Sequence, residues 1–124
     1  MVSLVTLLKL ILLKFMSYLY LAIAIVAEVI ATSALKASKE FQEWLPSLIA
    51  VIGYCASFYF MTLAMRQLSI GVVYASWSGL GIVLVASVGY FYYNEPLNMA
   101  TIIGMLLIIA GVLIMNLCSN GTTG

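Results

Sequence analysis

The sequence predicts an all-α integral membrane protein of four short transmembrane helices, and three observations carry that reading. Hydrophobic residues make up 65% of the 124 positions and charged residues only 7%, against about 45–50% and about 25% in an ordinary globular domain. The few charges leave four apolar stretches, each close to the roughly 20 residues that a helix needs to cross a bilayer. None of these stretches alternates apolar and polar residues, and 124 residues leave no room for an eight-stranded barrel. Five Lys or Arg against four Asp or Glu give a net charge of +1, and His is absent. That balance excludes a basic nucleic-acid surface, an acidic tail and any His-based metal or acid–base site. Cys55 and Cys118 each lie in an apolar run and offer neither a disulfide framework nor a metal cluster.

The first span is expected over residues 17–35, closed by Lys36, Lys39, Glu40 and Glu43. The second covers 44–65 and stops at Arg66, with Pro46 in its first turn, where a missing N–H costs least. The third covers 71–93 and ends at Asn94-Glu95-Pro96; the fourth covers 99–118 and is released by Ser119-Asn120-Gly121. Connections this short make neighbouring helices antiparallel. Tyr18, Tyr20, Trp44 and the run Tyr90 to Tyr93 gather near the expected water interfaces. Residues 16–119 therefore read as one four-helix transmembrane domain, with 120–124 as a tail.

Residues 1–15 are apolar apart from Ser3, Thr6, Lys9 and Lys14, and are too short to span comfortably. They read as an interfacial extension, a signal-like segment, or the product of an upstream start with Met16 as the true one. Glu28 and three further spans argue against a cleaved signal, so a dispensable extension is expected. Lys9, Lys14 and Arg66 fall on one side of the membrane, Lys36 and Lys39 on the other. The positive-inside rule needs an excess of Lys and Arg, and here there is almost none. Insertion in both orientations, and so an antiparallel pair of identical subunits, is permitted.

Glu28 carries the chemistry. It lies near the middle of the first span, and only Tyr and Cys accompany it as ionisable groups at depth. A charge at mid-membrane costs at least a few kcal/mol. Without an Arg or Lys partner, Glu28 escapes that cost by taking a proton or by holding a cation brought from outside. The two states exclude each other, which is the logic of a proton/cation exchanger. The plainer alternative is a protonated Glu28 bonded to a neighbouring helix.

Around it, Ala24, Ala27, Ala31 and Ala34 allow close helix approach or leave a cavity, and Thr32 at i+4 is placed to donate a hydrogen bond. Tyr54 and Phe58 lie one turn apart on the second helix; Tyr74, Trp77 and Ser78 sit together on the third. Aromatic faces attract desolvated cations, though each ring is also an ordinary packing residue. Gly79 and Gly81 near the middle of the third helix read as a hinge or as a close packing face. Gly104 and Gly111, seven apart on one face of a charge-free fourth helix, read as a dimer contact. Two copies would give eight helices and a coupled pair of Glu28 carboxylates. No nucleophile–base pair or metal set is visible, so neither an enzyme nor a cofactor is expected.

Taken together, several segments resemble the small multidrug resistance family of proton-coupled exporters. They are Tyr18-Leu19-Tyr20-Leu21, Ala27-Glu28-Val29-Ile30-Ala31-Thr32, Trp44-Leu45-Pro46-Ser47 and Tyr54-Cys55-Ala56-Ser57-Phe58. Tyr74-Ala75-Ser76-Trp77-Ser78-Gly79-Leu80-Gly81, Ile102-Ile103-Gly104-Met105 and Ala110-Gly111-Val112 complete the match. The resemblance implies an antiparallel homodimer in the bacterial inner membrane that exchanges protons for quaternary ammonium and other lipophilic cations at paired Glu28. It also implies a binding chamber of Tyr54, Tyr74 and Trp77, Tyr18 as a gate, Gly79 and Gly81 at a kink, and Gly104 with Gly111 at the dimer contact. The surroundings of Glu28 look more like the drug-exporting branch than the guanidinium exporters, which tend to carry Trp near Ala31 or Thr32 and Thr in place of Ser78. Ala31 stands where Gly is common, and Asn98 where an acid is common. Guanidinium or polyamine export by the same machinery, and a non-transporting accessory subunit of the membrane, are the alternatives.

Overall fold

A computed structural model describes residues 3–118, which form four helices: α1 Leu4–Ala37, α2 Trp44–Ala64, α3 Ile70–Phe91 and α4 Met99–Cys118. All four are long and apolar enough to cross a membrane. Residues 1, 2 and the expected tail at 120–124 lie outside the described residues.

Side-chain caps start three of the helices. Ser3 Oγ accepts from Thr6 N at 3.1 Å at the head of α1, Ser69 Oγ accepts from Val72 N at 3.3 Å at the head of α3, and Asn98 Oδ1 accepts from Thr101 N at 2.8 Å at the head of α4. Between α1 and α2 the chain reverses through Lys39, Glu40 and Phe41, all left-handed at φ 50°, 61° and 67°. That conformation costs a residue with a Cβ roughly 1–2 kcal/mol. Buried Ser38 holds the turn closed: its carbonyl accepts from Gln42 N and Glu43 N, and its hydroxyl oxygen accepts from Phe41 N.

α2 and α4 begin where the sequence places them. α1 does not: it starts at Leu4 and runs unbroken for 34 residues. At about 1.5 Å per residue it is some 50 Å long, well beyond a hydrocarbon core of about 30 Å. Residues 4–37 contain no Gly or Pro to end the helix, and Lys9 and Lys14 are good helix formers. α3 stops at Phe91, two residues before the expected end, because Asn94 turns left-handed at φ 57°.

α1 and α2 pack backbone to backbone. Ala24, Ala31 and Ala50 are fully buried between them, and Gly53 faces Ala31 so closely that a Cβ would lie 2.8 Å from the Ala31 methyl. Buried Ser57 donates to the Ala24 carbonyl at 2.8 Å. Small residues and one interhelical hydroxyl bond are how helices associate in lipid, where apolar burial gives no net drive. Toward one end, Leu21, Ile25, Ala64, Leu68 and Val73 close a core shared by α1, α2 and α3, with Tyr20 and Trp77 against it. α4 leans on α3 alone in this way: Gly79 accepts Val112 and Ile108, and its own Cβ would stand 2.5 Å from a Val112 methyl.

Candidate functional site

Glu28 projects from α1 toward α3 and lines a cavity of about 490 Å³ together with Thr32, Trp77, Ser78 and Gly81. One turn further along α1, Thr32 Oγ1 donates to Glu28 Oε1 at 2.9 Å, and Tyr54 OH on α2 lies 2.7 Å from the same Thr32 oxygen. A threonine hydroxyl has a single proton. With that proton committed to the carboxylate, Tyr54 is the donor to Thr32, and the relay Tyr54–Thr32–Glu28 runs from α2 to the cavity.

The other carboxylate oxygen is different. Glu28 Oε2 is buried without a hydrogen-bond partner, as is the indole nitrogen of Trp77. Gly81 gives Oε2 its room, since a Cβ there would lie 2.9 Å from it. No Lys or Arg is paired with Glu28 among the described residues. An acceptor held away from water with nothing donating to it is costly, and it sits against Gly81 in the wall of the cavity.

The aromatic side chains form a continuous series from that cavity outward. Tyr54 stacks on Phe58 at 6.5 Å between ring centroids; Phe58 meets Trp77 at 6.0 Å, and Trp77 meets Tyr74 at 5.9 Å. Tyr54 and Trp77 are half-buried, while Phe58 is 49% and Tyr74 60% exposed, so the series ends on an open face of the single chain.

Other expected site residues are placed elsewhere. α3 is continuous through Gly79 and Gly81, and both glycines stand at close approaches: Gly79 to α4, Gly81 to the carboxylate. Tyr18 is not brought to Glu28 within the chain. Its hydroxyl donates to Asn116 Oδ1 at 2.8 Å, and Asn116 Nδ2 donates to Ser76 Oγ at 2.8 Å, which ties α1, α4 and α3 together beside a second, apolar cavity. Sequence reasoning passed over Asn116, although an amide inside so apolar a helix was the available signal. Gly104 and Gly111 have nothing within 4 Å of where a Cβ would be, so their face of α4 is open.

The family model for the Small Multidrug Resistance protein matches residues 16–108. The chain belongs to the small multidrug resistance family. A multidrug transporter of Pseudomonas aeruginosa is 54% identical over 106 residues, covering 86% of this chain and 96% of its own length. The quaternary ammonium compound-resistance protein QacF of Klebsiella aerogenes is 46% identical over 103 residues, 83% of this chain and 94% of its own. The multidrug transporter EmrE of Escherichia coli is 45% identical over 105 residues, 85% and 96% respectively. Membership makes the chain a membrane transporter rather than an enzyme, crossing the bacterial inner membrane several times.

Proposed function

We propose that the protein is a proton-coupled antiporter that exports lipophilic and quaternary ammonium cations, with proton and cation competing for a pair of Glu28 carboxylates in an antiparallel homodimer. One observation carries the reading: Glu28 Oε2 is buried and unpartnered on a side chain that lines a cavity together with Trp77. A proton on that oxygen, or an organic cation beside it, relieves the same cost, and only one of them fits at a time. Facing the cytoplasm, the ionised carboxylate takes a cation; facing outward, an incoming proton displaces it. The surroundings suit the cargo. Trp77 in the cavity wall, with Phe58 and Tyr54 in series behind it, offers ring faces that attract a cation without demanding a particular shape, which accords with the drug and quaternary ammonium names of the relatives.

A second copy completes the arrangement. The aromatic series leaves Phe58 and Tyr74 exposed, α4 presents the open faces of Gly104 and Gly111, and Lys and Arg are almost evenly divided between the two sides. An antiparallel partner covers the first two and uses the third. The test is proton release from detergent-solubilised protein in weak buffer on adding tetraphenylphosphonium, beside the Glu28→Gln variant. Release from the native protein and none from the variant is expected. Absent release and absent binding in the native protein would overturn the reading and point to a small cation such as guanidinium, or to a chain that carries nothing.

A further inference from the structure

Where α1 and α3 end, on the same side of the bundle, lies a second charged cluster that the Glu28 chemistry does not use. Lys36 Nζ pairs with the Glu95 carboxylate and stands 4.8 Å from the centre of the Tyr93 ring. Tyr93 OH in turn donates to the Ser33 carbonyl on α1 at 2.9 Å. The chain is shaped to deliver these groups. Left-handed Asn94 bends the backbone directly after α3, Glu95 N donates to the Gly89 carbonyl at 2.9 Å, and the Glu95 side chain fills the space that a Cβ on buried Gly89 would need. A larger residue at 89 would displace the carboxylate from Lys36.

The position of the cluster gives it meaning. It walls a small cavity of about 90 Å³ that shares Thr32 and Val85 with the Glu28 cavity. Along α1, Glu28, Thr32 and Lys36 follow at intervals of four residues, so Lys36 stands two turns beyond the carboxylate on nearly the same face. We propose that Lys36, Tyr93 and Glu95 form the outer gate of the Glu28 cavity on the membrane face where α1 and α3 end. Closed, the Lys36 ammonium plugs the α1–α3 crevice with positive charge and turns away other cations. With Lys36 swung aside, a cation at the crevice meets the Glu95 carboxylate and the Tyr93 ring, both of which attract it. The side chains of the pair are 52% and 49% exposed, and a screened pair of that kind is weak enough to open and close. On the reading proposed above, antiparallel copies carry this cluster to opposite faces of the membrane, so the dimer has one gate on each side.

The test is the proton leak of proteoliposomes under an imposed pH gradient with no substrate present. Lys36→Gln and Glu95→Gln are expected to leak about two- to fivefold faster than the native protein, the change an exposed ion pair of ordinary strength supports. The exchanged pair Lys36→Glu/Glu95→Lys, and Lys36→Arg, are expected to return the leak close to the native rate. Adding Glu28→Gln to Lys36→Gln is expected to remove the excess, because the leak runs through the carboxylate. Native leak rates in both neutral variants overturn the gate, as does an exchanged pair that leaks like them or an excess that survives Glu28→Gln. Thermal unfolding of each variant confirms that it has folded. The gate is thus judged without substrate, and failure of tetraphenylphosphonium to bind the native protein is a separate result that overturns only the transport reading.

Discussion

The helices α1 to α3 and the helix α4 are built to opposite rules. Among the first three, glycines and alanines sit at close approaches, as at Gly53 on Ala31 and Gly81 on Glu28, and hydroxyl groups bond across helices, as Ser57 to Ala24 and Tyr54 to Thr32. α4 has one buried residue, Val112, and two glycines that face nothing. In lipid, an exposed Leu or Ile has no penalty, so an open α4 is stable as it stands. The contrast teaches that the same residue type serves two purposes: glycine inside the three-helix wall shapes a site, while glycine on α4 leaves a surface that a second helix can approach.

Substitutions break that contrast in a graded way. Largest is Glu28→Gln, expected to abolish proton release and drug resistance while leaving the helix content unchanged, measured by circular dichroism beside a growth assay with a quaternary ammonium compound. Next comes Gly79→Val, which drives side-chain atoms into Val112 and Ile108; overpacking of this kind costs about 1–3 kcal/mol and is expected to lower the unfolding midpoint in detergent. Gly81→Ala is milder for stability and sharper for function. Its methyl meets Glu28 Oε2, so cation affinity is expected to fall on the order of tenfold, about 1.4 kcal/mol, with little change in midpoint.

On α4 the order inverts. At Gly104 and Gly111 a Cβ would meet nothing within 4 Å, so with Gly104→Leu and Gly111→Leu the subunit fold is expected to be unchanged while the proposed dimer weakens, read by cross-linking or native mass spectrometry. An unfolding midpoint that falls as far as in Gly79→Val would show that α4 is already packed on that face and erase the comparison. Smallest is Asn116→Ala. It removes the bonds to Tyr18 and Ser76, and interhelical polar bonds in membranes average about 0.6 kcal/mol, so the midpoint is expected to drop only slightly.

Much of this was legible in the residues. Charged residues cost too much in lipid to be scattered, so Lys36, Arg66 and Glu95 mark the span ends, and α2 and α4 start at Trp44 and Met99 as expected. The long start of α1 was hidden because residues 1–15 read as a stretch too short to span and so as a separate extension, whereas helix continuity depends on the absence of Gly and Pro. Within the site, Glu28 and Thr32 were visible as an i, i+4 pair on one helix. Their partners across helices were only partly so. Periodicity fixes which face a residue takes but not the register of one helix against the next, so nothing in the sequence set Gly81 rather than Gly79 against the carboxylate. Tyr18 illustrates the same limit: its partner Asn116 is 98 positions away. Lys36 and Glu95, 59 apart, meet because Asn94 turns left-handed, a conformation Asn tolerates but does not announce.

The most direct test of competition at Glu28 is the equilibrium affinity of the purified protein for tetraphenylphosphonium as a function of pH. On the proposed exclusion of the cation by the proton, affinity is expected to fall as pH is lowered, by up to about tenfold per pH unit for each proton displaced. Glu28→Gln, with no proton to lose, is expected to show no such slope. An affinity in the native protein that is flat across the same range would contradict the account, since the cation would then be binding somewhere that Glu28 does not control.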